Sequence, residues 1–153
     1  MPPTWSRRCP LQLFERAGFG ETAEERLLNE TYTWLEKAQR DLQDAATLIS
    51  SGSYANALYH CQQAAEKARR AFLTYDQTPF RKTHELNVLF PDILAIDRSL
   101  QPMLDQAGKL SEYAWKFRYP GAPYEPDVAE AAEGLRRAEL TVHEIEQRLP
   151  PAL

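Results

Sequence analysis

Apolar positions recur along most of the chain at spacings of three and four, the period of helices buried on one side. The first stripe, Leu35, Ala38, Leu42, Ala45, Leu48 and Ile49, predicts a helix from about Glu24 or Asn29 to Ile49. Ser51-Gly52-Ser53 ends it, with Gly52 suited to a left-handed C-terminal cap and Ser53 to the next N-cap. A second helix is predicted from about Tyr54 to Tyr75. There Tyr54, Ala57, Leu58, Cys61, Ala64, Ala65, Ala68, Phe72 and Tyr75 fall within an arc of about 120°. Most of these side chains are small, which lets a neighbouring helix come close. Beyond Pro79, Thr83 is placed to cap a short helix through Leu86, Leu89 and Phe90, which Pro91 interrupts or restarts. A further helix from about Leu100, with Pro102 in its first turn, carries Met103, Leu104, Ala107, Leu110, Ala114 and Phe117 on one face. Arg118-Tyr119-Pro120-Gly121-Ala122-Pro123 then makes a proline-braced loop. Pro126 opens a last helix striped by Val128, Ala132, Leu135, Ala138, Val142, Ile145 and Leu149, until Pro150 stops it.

No stretch reads as a strand. Four long amphipathic helices with short links predict an all-α fold, an antiparallel up-and-down four-helix bundle with a short extra helix. The first twenty residues hold three prolines, two glycines and little periodicity, so residues 1–23 are expected to form an irregular arm before a bundle over residues 24–150.

Length and charge narrow the functions open to such a bundle. With 153 residues the chain makes one domain with a continuous core. Its 22 acidic residues against 18 Lys and Arg give a formal charge of −4, so no overall cationic field draws it to nucleic acid or anionic lipid. Binding of that kind needs a local patch. Cys9 and Cys61 lie far apart and form neither a metal cluster nor a disulfide framework, so no metal and no cofactor are expected, and a reducing compartment suits them. No apolar run approaches the ~20 residues of a membrane span. The start of the chain lacks the apolar core of a secretory signal, so a cytoplasmic location away from membranes is expected.

Two groups of residues offer chemistry. On the second helix Asn56, His60, Gln63, Lys67 and Arg70 keep within about 40° of one direction, a polar line that turns basic toward its C-terminal end. It reads either as a surface offering donors to phosphates, with Lys67 and Arg70 as its cations, or as a solvated face supported by pairs such as Glu66 with Arg69 or Arg70. The second group is the aromatic run Tyr113, Trp115, Phe117 and Tyr119 leading to Arg118 and Tyr124. Trp115 points away from the face shared by Tyr113 and Phe117, so the run, with Tyr113 and Tyr119, is expected at a subunit interface. Cys61 reads as a small buried hydrophobe.

The string SGSYANALYHCQQAAEKARRAFL resembles the second helix of HEPN domains, a family of helical modules associated with nucleotides and RNA. Asp41-Leu42 before it, Thr83-His84-Glu85-Leu86 after it, and Leu110-Ser111-Glu112-Tyr113 running into Phe117-Arg118-Tyr119-Pro120 match the family in order and spacing over roughly residues 30 to 148. The resemblance implies a helical bundle, commonly a homodimer, whose members include metal-independent endoribonucleases, toxins partnered by small nucleotidyltransferases, and non-catalytic nucleotide-binding or protein-interaction modules. The ribonuclease branch carries Arg, four to six residues, then His. Here Arg118 takes the arginine position and Tyr124 stands where the histidine would be, an Arg…Tyr spacing that resembles the toxins whose tyrosine a nucleotidyltransferase partner modifies. The implied function is binding of RNA or a nucleotide, with Arg118 and Tyr124 as the catalytic pair in the toxin-like form and His60, Gln63, Lys67, Arg70 and His84 as ligand-binding residues. Histidine is the side chain that titrates near neutral pH, so His60 and His84 are the proton-transfer candidates, although no spacing sets either beside Arg118. Arg136 with His143 on the last helix is a rival match, about 10 Å apart along the axis at ~1.5 Å per residue and outside the family's segment.

Overall fold

In the computed structural model, which describes residues 20–79 and 86–151 (for 86–90 the backbone alone), helix α1 (Ala23–Ser50) starts at a capping box. Thr22 Oγ1 accepts from the Glu25 backbone N–H at 3.1 Å, and Glu25 Oε2 accepts from the Thr22 N–H at 2.8 Å. Two otherwise orphaned donors are thereby satisfied. At the other end the Ser53 N–H reaches Leu48 O at 2.8 Å and the Gly52 N–H reaches Ile49 O at 3.1 Å. This is a Schellman turn, and it needs the positive φ of 80° that Gly52 adopts without a Cβ penalty.

Helix α2 (Tyr54–Tyr75) follows after three residues. Ser53 does not cap its backbone; the Ser53 hydroxyl instead accepts from Asn56 Nδ2 at 3.0 Å. Asp41 meets His60 while Trp34 meets Arg70, so α1 and α2 run in opposite directions. Helix α3 (Leu86–Ile96) passes through Pro91 without stopping, at the cost of one N–H bond. A 3₁₀ turn at Arg98–Leu100 leads into α4 (Gln101–Gly108), a second at Ser111–Ala114 precedes the proline-braced loop, and α5 (Val128–Gln147) closes the chain. The N-cap of α5 is Asp127, whose carboxylate accepts from the Glu130 N–H at 2.9 Å. No strand occurs among the described residues, and no helix there is long and apolar enough to cross a membrane.

The all-helical expectation holds, with one revision to a helix length. Instead of a long helix from Leu100 reaching Phe117, α4 ends at Gly108 and the chain tightens into a 3₁₀ turn. A 3₁₀ turn eclipses positions three apart. Leu110 and Tyr113 accordingly both enter the core, at 0% and 6% exposure. The expected arm lies outside the described residues up to residue 19, as do Cys9, Thr83 and His84.

Helix α2 is the central element, touching α1, α3, α5 and the second 3₁₀ turn. Its predicted arc is buried from Ala57 to Phe72, with Tyr54 half-buried and Tyr75 exposed at the two ends, and Gln62, Glu66, Arg69, Leu73 and Thr74 are buried beside it. The α5 stripe is displaced from its predicted positions over the first two turns. Val128 and Ala132 face solvent, while Ala131 and Gly134 are buried. The reason is contact distance: a Cβ on Gly134 would lie 2.5 Å from Leu58 Cδ2, so α5 rests on α2 where the side chain is missing. Cys61 is fully buried in the same contact layer, and burial pushes its thiol up to about 12.

Two expectations follow. Gly134→Val should cost about 1–3 kcal/mol through overpacking against Leu58, read as a lowered midpoint in urea with an unchanged slope. In a Cys9→Ser background Cys61 should resist a thiol reagent at pH 8 until denaturant is added, since its thiol is desolvated in the fold and regains an ordinary acidity on unfolding; rapid labelling of native protein would contradict this burial.

Candidate functional site

The polar line on α2 is stitched to two carboxylates set behind it. Asp41, buried on α1, accepts from His60 Nδ1 at 2.8 Å through Oδ1 and from Lys67 Nζ at 2.5 Å through Oδ2. Glu66, buried on α2 itself, accepts from Arg70 Nη2 at 2.7 Å and from Gln62 Nε2 at 3.2 Å. Gln63 Nε2 donates to Gln62 Oε1 at 2.8 Å, and the Arg70 guanidinium lies 5.2 Å from the centre of the Trp34 ring. Lys67 and Arg70 are therefore not free cations. Each shares a buried carboxylate, as the solvated-face reading of the line anticipated for Arg70 with Glu66.

The second group forms where the chain leaves the 3₁₀ turn. Glu130 Oε1 accepts from Tyr113 Oη and from Tyr124 Oη, each at 2.8 Å, and Lys116 Nζ donates to Tyr124 Oη at 3.0 Å and to Glu112 Oε1 at 3.1 Å. Phe117 stacks on Tyr113 and meets Tyr124 edge-on, with centroids 6.0 and 5.4 Å apart. Burial, with the Glu130 hydrogen bond second, raises the pKa of Tyr113; the hydrogen bond to Tyr124 is the main cause of the upward shift at Lys116. Tyr113 thus lies in the core of its own subunit, whereas Trp115 and Tyr119 stand 62% and 67% exposed and Tyr124 45%.

A single ring joins the two groups. The Arg118 guanidinium sits 4.6 Å from the centre of the Tyr59 ring, and the Tyr59 and His60 rings meet edge-on at 5.6 Å. Guanidinium and imidazole therefore lie no further apart than those two lengths together. Arg118 Nη1 also approaches Ala114 O at 3.5 Å, a long contact. Among the described residues no carboxylate pairs with Arg118, and it is exposed.

The structure brings together Arg118, His60 and, through Asp41, Lys67. Arg70 sits a turn beyond Lys67, and Tyr124 belongs to the Lys116–Glu130 cluster, where it is tied to Phe117. His84 lies outside the described residues. The rival Arg136 is taken up by Glu133, with bonds of 3.0 and 2.6 Å, on the exposed side of α5. Sequence reasoning missed Tyr59, Asp41 and Glu130 as working parts. Asp41 had a signal: a carboxylate between Ala38 and Leu42 in an otherwise apolar stripe demands a partner. Buried Arg69, at 2% exposure, has no acceptor among the described residues for any of its three guanidinium nitrogens, and burial lowers its pKa to about 10.

Residues 31–148 match the family model of the HEPN domain. The fold is similar to the crystal structure of TT1696 from Thermus thermophilus, with TM-score 0.71 and 28% identity over 78% of this chain and 98% of that one. It is also similar to ST0689, an archaeal HEPN homologue, with TM-score 0.66 and 26% identity over 78% and 97% of the two chains. None of the curated proteins matches the sequence.

Proposed function

The chain belongs to the HEPN domain family, and from that premise we propose that it is a dimeric module binding the phosphate groups of RNA or of a nucleotide around Arg118. The observation that carries the reading is the state of Arg118, an exposed guanidinium braced on Tyr59 with no carboxylate to neutralise it among the described residues. Cation–π support fixes one face of the group without using its N–H donors. The donors remain available for bidentate contact with phosphate. In an RNA-cleaving form the same charge supports the phosphorane, with Tyr124 donating a hydrogen bond in place of the family's histidine.

Dimerisation is supported by the crowding of exposed aromatics beside Arg118. Trp115 and Tyr119 present apolar surface that a second copy would cover, and covering it sets two copies of Arg118 about one cleft. A small nucleotidyltransferase is the partner that the Arg118…Tyr124 spacing suggests, with the half-exposed Tyr124 phenol as the group it would address. A non-catalytic binding module is the second reading. It is favoured by the pairing of Lys67 with Asp41 and of Arg70 with Glu66, which takes the two cations of the α2 polar line out of service as free phosphate ligands.

Arg118→Ala should weaken ATP or RNA binding about tenfold or more in calorimetric titrations, the scale of a charge-assisted hydrogen bond, with the circular dichroism spectrum unchanged. In cells, wild type and Arg118→Ala should differ in growth and RNA integrity under the toxin-like form; equal behaviour leaves the non-catalytic reading. Sedimentation at micromolar concentration should report a dimer that Trp115→Asp converts to monomer, and a monomeric wild type would remove the shared cleft.

A further inference from the structure

Resting on the phosphate-binding reading above, we propose that His60 reads the sugar of the ligand: its Nε2 accepts a hydrogen bond from a ribose 2′-hydroxyl, and Asp41 is the positioning residue that keeps Nε2 an acceptor. The ligand class is then a ribonucleoside phosphate, free or within an RNA strand.

The tautomer follows from donors and acceptors. A carboxylate only accepts, so the 2.8 Å contact between Asp41 Oδ1 and His60 Nδ1 places the proton on Nδ1. In the neutral imidazole Nε2, on the opposite edge of the ring, then carries a lone pair. Asp41 cannot turn away, because it is buried and its other oxygen holds Lys67 Nζ at 2.5 Å. Tyr59 braces the imidazole from one side, and the His60 side chain keeps 29% of its surface exposed. Asp44 brings a third potential metal ligand within 4.8 Å of Asp41 and His60, but the Lys67 ammonium already sits on Asp41 where a cation would bind.

An acceptor on a part-exposed ring, linked to a cation through Tyr59, sorts the parts of a nucleotide. Phosphate oxygens are acceptors; they gain from Arg118 and gain nothing from Nε2. A sugar hydroxyl is a donor, and the Tyr59 ring keeps imidazole and guanidinium no further apart than 4.6 and 5.6 Å together. The 2′-hydroxyl is also the group that separates RNA from DNA. A site built around a hydroxyl rejects the analogue that lacks it, because its own polar group is left unpaired.

Calorimetric titration with four probes tests this: ATP, 2′-deoxyATP, a single-stranded RNA and the DNA of the same sequence. The ribose form of whichever class binds should be favoured about five- to tenfold, and the class that binds identifies the source. His60→Ala should abolish that ratio, His60→Gln, which retains an acceptor, should keep part of it, and Asp41→Asn should reduce it while Arg118-dependent binding persists. Nitrogen NMR of the wild-type imidazole should show the proton on Nδ1; an Nε2–H form would overturn the inference even if Asp41→Asn failed to fold. Equal binding of ribose and deoxyribose forms, or a preference surviving His60→Ala, overturns the inference alone. Absence of binding to all four probes overturns the phosphate-binding reading and this inference with it.

Discussion

Helix α2 passes through the middle of the molecule with neighbours on most sides, and that enclosure constrains everything around it. A helix so placed can be wholly apolar, or it can carry polar side chains that each find a partner. This one does the second. Asp41 reaches in from α1 to take His60 and Lys67, and Glu66 takes Arg70 and Gln62 from within α2. Paired buried charges add little net stability over apolar replacements, since desolvation offsets the attraction. What they supply is orientation. Arg69 and the Thr74 hydroxyl, both buried and without a hydrogen-bond partner among the described residues, are the exceptions on this helix.

Enclosure also sets residue size. Ala57, Ala64, Ala65 and Ala68 keep the surface of α2 shallow, and over its first two turns α5 answers with Ala131 and Gly134 rather than with Val128. Hydrophobic periodicity weighs side chains by apolarity, whereas helix contact here is decided by how near two backbones can come. That is why Val128 is left in water although the helical spacing of the sequence assigned it an inward position, and Ala132 turns out with it on the same face.

The candidate site arises from the same geometry. The 3₁₀ turn at Ser111–Ala114 drives Leu110 and Tyr113 into the core and ejects Trp115 and Tyr119. It also carries Arg118 back over the start of α2, where Tyr59 receives it. An arginine of the loop and a histidine of the helix, nearly sixty residues apart in the chain, thereby come to share one aromatic ring. The Tyr113–Glu130–Tyr124 network holds the loop against α5 from the other side.

The chain alone determined the helical class, the bounds of α2, the glycine turn before it, the buried alanine arc and the family. Each is written in local spacing or in motif order, and local spacing survives whatever the rest of the molecule does. Other features waited for tertiary structure: the break at Gly108, the inward turn of Gly134, the enclosure of Glu66, and the meeting of Arg118 with Tyr59 and His60. These depend on which surfaces come within van der Waals or hydrogen-bond reach. A one-dimensional pattern states the distance along the chain between such groups and is silent about the distance across it.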